Sequence, residues 1–139
     1  MNREEIKRLL PHREPMLLVD EIEVDEEGVA HGKYHVRGDE FFLQGHFPGN
    51  PVVPGVILCE IMAQACGLLL GDAIVGKTPM YTGLDKVRFR APVRPGDTLE
   101  ITAHVEKRVA NFYFTKAEAR VGDKLCVQGN LSFALVEGV

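Results

Sequence analysis

His46 and Glu60 are the side chains of this sequence best suited to move protons, and they stand fourteen positions apart in the stretch GHFPGNPVVPGVILCEIMAQ, residues 45–64. An imidazole titrates near neutrality, with an ordinary pKa of about 6.5, so His46 can act as a base without special tuning. Gly45 before it permits close backbone approach, and Phe47 and Pro48 after it are apolar and stiff, which suits a ring held in one orientation. Glu60 is the one early acid in a long apolar stretch. An ionised carboxylate there is costly unless partnered. It lies about one turn from the expected helix start, where the helix dipole favours it by roughly 0.3–1 kcal/mol. Gln64, four residues on, shares its face and can hold the carboxylate. Gly55 and Val56 open the helix with free backbone N–H groups, which can polarise a carbonyl. Together these residues make a base, an acid and an electrophile, the equipment for proton transfer beside an activated carbonyl. Each also has a plainer reading. His46 can be a surface imidazole, Glu60 an acid at a solvent-facing edge, and Gln64 a polar residue on a wet seam.

These groups need a scaffold. The helix that carries Glu60 is predicted from about Val56 to Val75, and it is apolar nearly all round, so it must be buried on most sides. The loop before it, Phe41 to Gly55, contains Pro48, Pro51 and Pro54, which forbid regular structure. A short helix opens the chain, with Asn2 as cap, Glu5 completing a capping box, and Pro11 as its stop. Leu17 to Val24 and Val29 to Val36 read as strands, as do Met80 to Arg90, Asp97 to Lys107, Asn111 to Val121 and Leu125 to Val136. Leu99, Ile101, Ala103 and Val105 alternate with polar neighbours, the mark of a half-buried antiparallel strand. Gly122-Asp123 is a two-residue hairpin turn.

One helix buried on nearly every side, in a chain otherwise made of strands, is satisfied by an antiparallel sheet wrapped around that helix. The expected fold is therefore α+β, the hot-dog arrangement, as a single domain over 1–139. Its final strands are long and apolar, so a second copy is expected to cover the open edge.

Bulk composition narrows the function. At 139 residues and 45 % hydrophobic, the chain has apolar content for one core. Its net charge of -4 gives no general reason to expect nucleic acid. The run Val56 to Leu70 is short for a membrane span and contains Glu60, so no span is expected. Asn2, Arg3, Glu4 and Glu5 do not begin a signal segment. Cys59, Cys66 and Cys126 are odd in number and read as buried thiols in a reducing compartment, hence a cytoplasmic protein. The five histidines never pair with Cys or acids at a metal-ligand spacing, so no metal site is expected. Lys86, Arg88 and Arg90 alternate with Val87 and Phe89, with Arg94 close behind. This basic stripe can dock an acidic partner, or can equally be a solvated strand face.

Four stretches resemble one family along nearly the whole chain: LLPHREPMLLVDEI, FFLQGHFPGNPVVPGVILCEIMAQ, YTGLDKVRFRAPVRPGDTLEI and LSFALVE. They resemble the FabZ-type (3R)-3-hydroxyacyl-acyl-carrier-protein dehydratases of fatty-acid synthesis. The resemblance implies that His46 and Glu60 are catalytic, that the Gly55 N–H meets the thioester carbonyl, and that Gln64 supports Glu60. It implies an aromatic gate at Tyr81, and Phe47, Val56, Ile57 and Met62 become candidates to line an acyl channel, with ordinary core packing as the other reading. The expected partner is acyl carrier protein with its phosphopantetheine-linked chain, docked on Lys86, Arg88, Arg90 and Arg94. The expected assembly is a homodimer whose sites are shared, with hexamers built from dimers. No cofactor is implied. Three alternatives remain: a FabA-like dehydratase-isomerase, which resembles a longer chain with Asp at the Glu60 position, a hot-dog thioesterase, and a non-catalytic acyl-binding module.

Overall fold

A computed structural model describes residues 1–137. The chain opens with α1 (Arg3–Ile6), capped by Asn2 and Glu5 in the reciprocal pattern the sequence predicts. Strands β1 (Glu21–Val24) and β2 (Ala30–His35) follow, then a 3-10 turn (Phe41–Leu43) and the central helix α2 (Gly55–Ala65). A second 3-10 segment (Cys66–Ile74) leads to β3 (Lys77–Phe89), β4 (Thr98–Val109), β5 (Phe112–Val121) and β6 (Lys124–Glu137). The six strands form one antiparallel sheet in the order β1-β2-β4-β5-β6-β3. The sheet curls around α2, which touches β2, β4, β5 and β6. Leu99, Ile101 and Ala103 of β4 point into this core while Thr98 and Glu100 face out. Ile61, Met62 and Ala65 of α2 are fully enclosed. Each side chain of Ile or Met size buried this way contributes about 1.5–3 kcal/mol. By length and hydropathy Gly55–Ile74 would qualify as a membrane span, and here it forms the helix that the sheet wraps. The Gly122-Asp123 hairpin joins β5 to β6, with Val121 opposite Lys124.

Of the boundaries that differ from the sequence expectation, three have a local reason. The α-helix stops at Ala65 and tightens to 3-10 geometry, broken at Gly71, whose positive φ of 59° ends any regular helix. The expected strand from Leu17 is confined to Glu21–Val24, because the Leu18 N–H donates to the Gln64 side chain of the helix and not to a neighbouring strand. The strand expected from Met80 begins at Lys77 and contains Pro79. A proline is tolerated there because β3 is an edge strand, paired among the described residues only with β6.

Two features of this frame bear on function. The segment between α1 and β1 is strapped down by Arg3, whose guanidinium donates to Leu17 O, Asp20 Oδ1 and Glu14 Oε2. The Lys7 ammonium, with Arg3, holds the Glu14 carboxyl down to about 2. The other feature is the free edge of β3, where Met80, Tyr81, Leu84 and Phe89 are each between 41 % and 56 % exposed. An apolar strand edge left open in this way is a template for another strand.

Candidate active site

His46 sits on a loop closed by its own backbone. Its N–H donates to Leu43 O, Val52 N–H donates back to His46 O, and Phe47 and Asn50 exchange a pair of bonds across the tip. His46 Nδ1 lies 3.0 Å from Val52 O. A carbonyl only accepts, so Nδ1 carries the proton and donates, leaving Nε2 with a free lone pair. The ring stacks on Phe47, centroids 4.2 Å apart. Two braces reach in from outside the loop. Val53 N–H donates to Val93 O, and Arg94 Nη1 donates to Asn50 Oδ1 at 2.6 Å.

Upstream, the buried carboxylate of Glu40 accepts from Tyr34 Oη at 2.6 Å and from the N–H groups of Arg37 and Gly38. Burial alone would raise the Glu40 pKa, but these hydrogen bonds outweigh it and hold it below the ordinary carboxylate range. Burial, aided by the Glu40 charge, pushes the Tyr34 phenol up. This pair anchors the run into the His46 loop, and the sequence reading passed it over.

Glu60 lines a cavity of about 60 Å³ walled by Leu10, Gly67, Leu70, Ile74 and Phe133 among others. Gln64 holds it. The amide Nε2 donates to Glu60 Oε2 and to Met16 O, both at 2.8 Å, while Gln64 Oε1 accepts from Leu18 N–H at 2.7 Å. Gln64 is thus 1 % exposed with each amide function used, and the wet-seam reading does not hold. Tyr81 lines the same cavity and donates its hydroxyl to Cys59 O at 3.0 Å. Burial, with the Glu60 carboxylate next, pushes its pKa well up, so the ring stays neutral. His12 also lines it, unnoticed in the sequence although it lies in the quoted LLPHREPMLLVDEI stretch. The channel candidates divide differently: Met62 is core, Ile57 packs against the core, and Phe47 and Val56 are exposed. None of the four borders this cavity.

The start of α2 separates the two halves. Pro54 is its N-cap and no side chain bonds to the terminus. A Cβ on Gly55 would lie 3.0 Å from the Phe89 ring, so only glycine lets that ring cover the helix start. Val56 is 76 % exposed beside it.

The basic stripe is not the single face that alternation predicts. A bulge between Asp85 and Arg88 sets Lys86 and Val87 against one partner residue, with Lys86 at a φ of 53°. Lys86 therefore borders a depression with His104 and Lys116, Arg88 and Arg90 stay exposed beyond the bulge, and Arg94 is engaged with Asn50. Among the described residues no three His, Cys, Asp or Glu side chains gather where they could hold a metal ion.

The FabA-like domain profile matches residues 10–130, which span both halves of this site. A 3-hydroxyacyl-[acyl-carrier-protein] dehydratase FabZ from Clostridium perfringens is 44 % identical over 137 residues, 97 % of this chain and 99 % of that protein. The FabZ of Caldicellulosiruptor saccharolyticus is 46 % identical over 133 residues, 94 % of this chain and 95 % of that one. This chain belongs to the FabZ-type dehydratases of the FabA-like family. Among solved structures, the dehydratase heterocomplex ApeI:P from Xenorhabdus doucetiae superposes with a TM-score of 0.80 at 25 % identity, covering 94 % of this chain and 90 % of that one. A mutant of the fluoroacetyl-CoA-specific thioesterase FlK, in complex with fluoroacetate and CoA, gives 0.67 at 18 % identity, over 83 % of this chain and 95 % of that one. That second likeness is one of fold: the hot-dog sheet and central helix expected from the sequence are common to both.

Proposed function

We infer that this chain dehydrates (3R)-3-hydroxyacyl thioesters on acyl carrier protein to trans-2-enoyl thioesters during fatty-acid elongation, acting as one hot-dog domain over 1–139. The single observation that carries the chemistry is the bond from His46 Nδ1–H to Val52 O, which presents Nε2 as a base. The N–H groups at Gly55 and Val56 polarise the thioester carbonyl and acidify the C2 proton. His46 Nε2 takes that proton as the C2–H electrons form the C2–C3 double bond. The C3–O bond breaks, and Glu60 donates a proton to the departing hydroxyl, releasing water. Gln64 keeps Glu60 in place, and Tyr81 gates the mouth of its cavity. Atoms and protons balance without a cofactor.

His46 does not border the Glu60 cavity of its own chain. A homodimer resolves this: two copies joined along the free β3 edges, covering Met80, Leu84 and Phe89, would bring His46 of one copy to Glu60 of the other. Three such dimers would make a hexamer, which sedimentation velocity distinguishes from a dimer. Arg88 and Arg90, with Lys86 and the loop-bracing Arg94, form the basic rim for an acidic carrier protein. The three buried cysteine thiols, unpaired, fit a cytoplasmic setting.

Spectroscopic dehydration of a 3-hydroxybutyryl carrier-protein thioester tests the reading. Enoyl absorbance should appear with wild type, and its rate should fall by about 10²–10⁴-fold, to a measurable residue, with His46→Ala and Glu60→Gln. Release of free thiol without enoyl product would instead make it a thioesterase, and a cis-3 product would add isomerase activity.

A further inference from the structure

His12 is the second imidazole near Glu60, and the mechanism above leaves it unused. Its Nε2 lies 3.4 Å from Glu60 Oε2, the oxygen that Gln64 already holds. Its Nδ1 is buried without a hydrogen-bond partner among the described residues. A leucine would fill the same apolar corner without burying an orphaned nitrogen. The backbone beneath His12 is rigidly set: Arg13 Nη1 donates to His12 O at 2.7 Å and to Leu10 O at 2.9 Å, and Arg13 Nη2 donates to Lys7 O at 3.1 Å. The ring is thus aimed at the carboxylate by a braced turn.

We propose that His12 is a positioning residue for the acid. Its Nε2–H donates to Glu60 Oε2 alongside the Gln64 amide, so that one carboxylate oxygen is tied from two sides. Oε1 is then the oxygen presented to the C3 hydroxyl. The 3.4 Å separation is long for a hydrogen bond, and such contacts tighten when substrate fills a site. The inference rests on the dehydratase reading.

The test is a set of His12 variants assayed for dehydration, each checked for folding by circular dichroism. His12→Leu fills the corner without a donor and should lower kcat at least ten-fold with KM within two-fold. His12→Gln places an amide N–H where Nε2 stood and should restore most of that loss. His12→Asn, one methylene shorter, folds but should not restore it. In a Glu60→Gln background, His12→Leu should cause no further loss, because it acts through Glu60. Wild-type kcat in His12→Leu, equal rates in the Leu and Gln variants, or an additive loss on top of Glu60→Gln would each overturn the proposal. If Glu60→Gln itself dehydrates normally, the underlying reading fails instead, and the two failures are distinct.

Discussion

The loop that carries His46 and the helix that carries Glu60 hold their side chains by different means. In the loop the bonds that orient the imidazole join residues no more than six apart, closed by prolines and a stacked phenylalanine. On the helix the carboxylate depends on Gln64, whose other bonds reach 46 and 48 positions back to Leu18 and Met16. The imidazole is therefore oriented by local bonds, on a loop that Val93 and Arg94 brace from outside. The acid is a product of docking the strap between α1 and β1 onto α2. Damage to that strap should reach the acid and leave the base intact.

The largest expected effect treats the two halves alike. His46→Ala and Glu60→Gln should each cut dehydration by about 10²–10⁴-fold with the fold retained. A full-rate variant at either position would end the pairing. Next, Gln64→Leu should separate the halves. It strands the buried Leu18 N–H, at about 1–3 kcal/mol, and leaves the half-buried Met16 O without its amide donor. Urea denaturation should register that loss, and turnover should fall with it. Asn50→Ala, at the tip of the other half, should leave the urea midpoint nearly unchanged.

Gly55→Ala pushes a methyl group against Phe89 at 3.0 Å and should slow turnover by about 10–10²-fold through misplacement of the helix start. Adding Phe89→Ala makes room, so the double variant should recover part of the rate; a double variant slower than Gly55→Ala would contradict that packing. A pH effect comes from Glu40. Its folded pKa is lowered, so its stabilisation is present above the ordinary carboxylate value of about 4.3 and is lost as pH falls through the folded value. Thermal melts should place wild type above Glu40→Gln at neutral pH, with the two curves converging on acidification. The smallest effect belongs to Arg94→Ala, which removes one exposed bond to Asn50 and should change stability by about 0.5 kcal/mol or less. Bracing should show as a modest loss in kcat and docking as a raised KM for the carrier protein; a variant with both unchanged would remove Arg94 from the site.

The legibility of this protein follows the same division. The α1 capping box, the β4 alternation and the Gly122-Asp123 hairpin are short-range patterns, and each appears in the structure where residue type and spacing put it. The helix overran its end because its apolar run continues past Ala65, whereas Gly71 breaks the backbone. The basic stripe misread its face because a bulge at Lys86 is a backbone event that residue alternation does not encode. Glu40 follows Arg37 and Asp39 in a charged stretch with no pattern of its own, and only its enclosure by Tyr34 and two amides sets it apart.

Residue order by itself determined that a stiff loop would deliver an imidazole and that a buried helix would carry a carboxylate and an amide four residues apart, because both depend on steric limits and helical periodicity acting over a few residues. The motifs also determined the family. Tertiary structure alone decided which carboxylate oxygen is gripped, which apolar side chains wall the cavity, and that His12 belongs to it. Those outcomes depend on segments nearly fifty residues apart meeting at hydrogen-bonding distance, and no periodicity in the sequence records such a meeting.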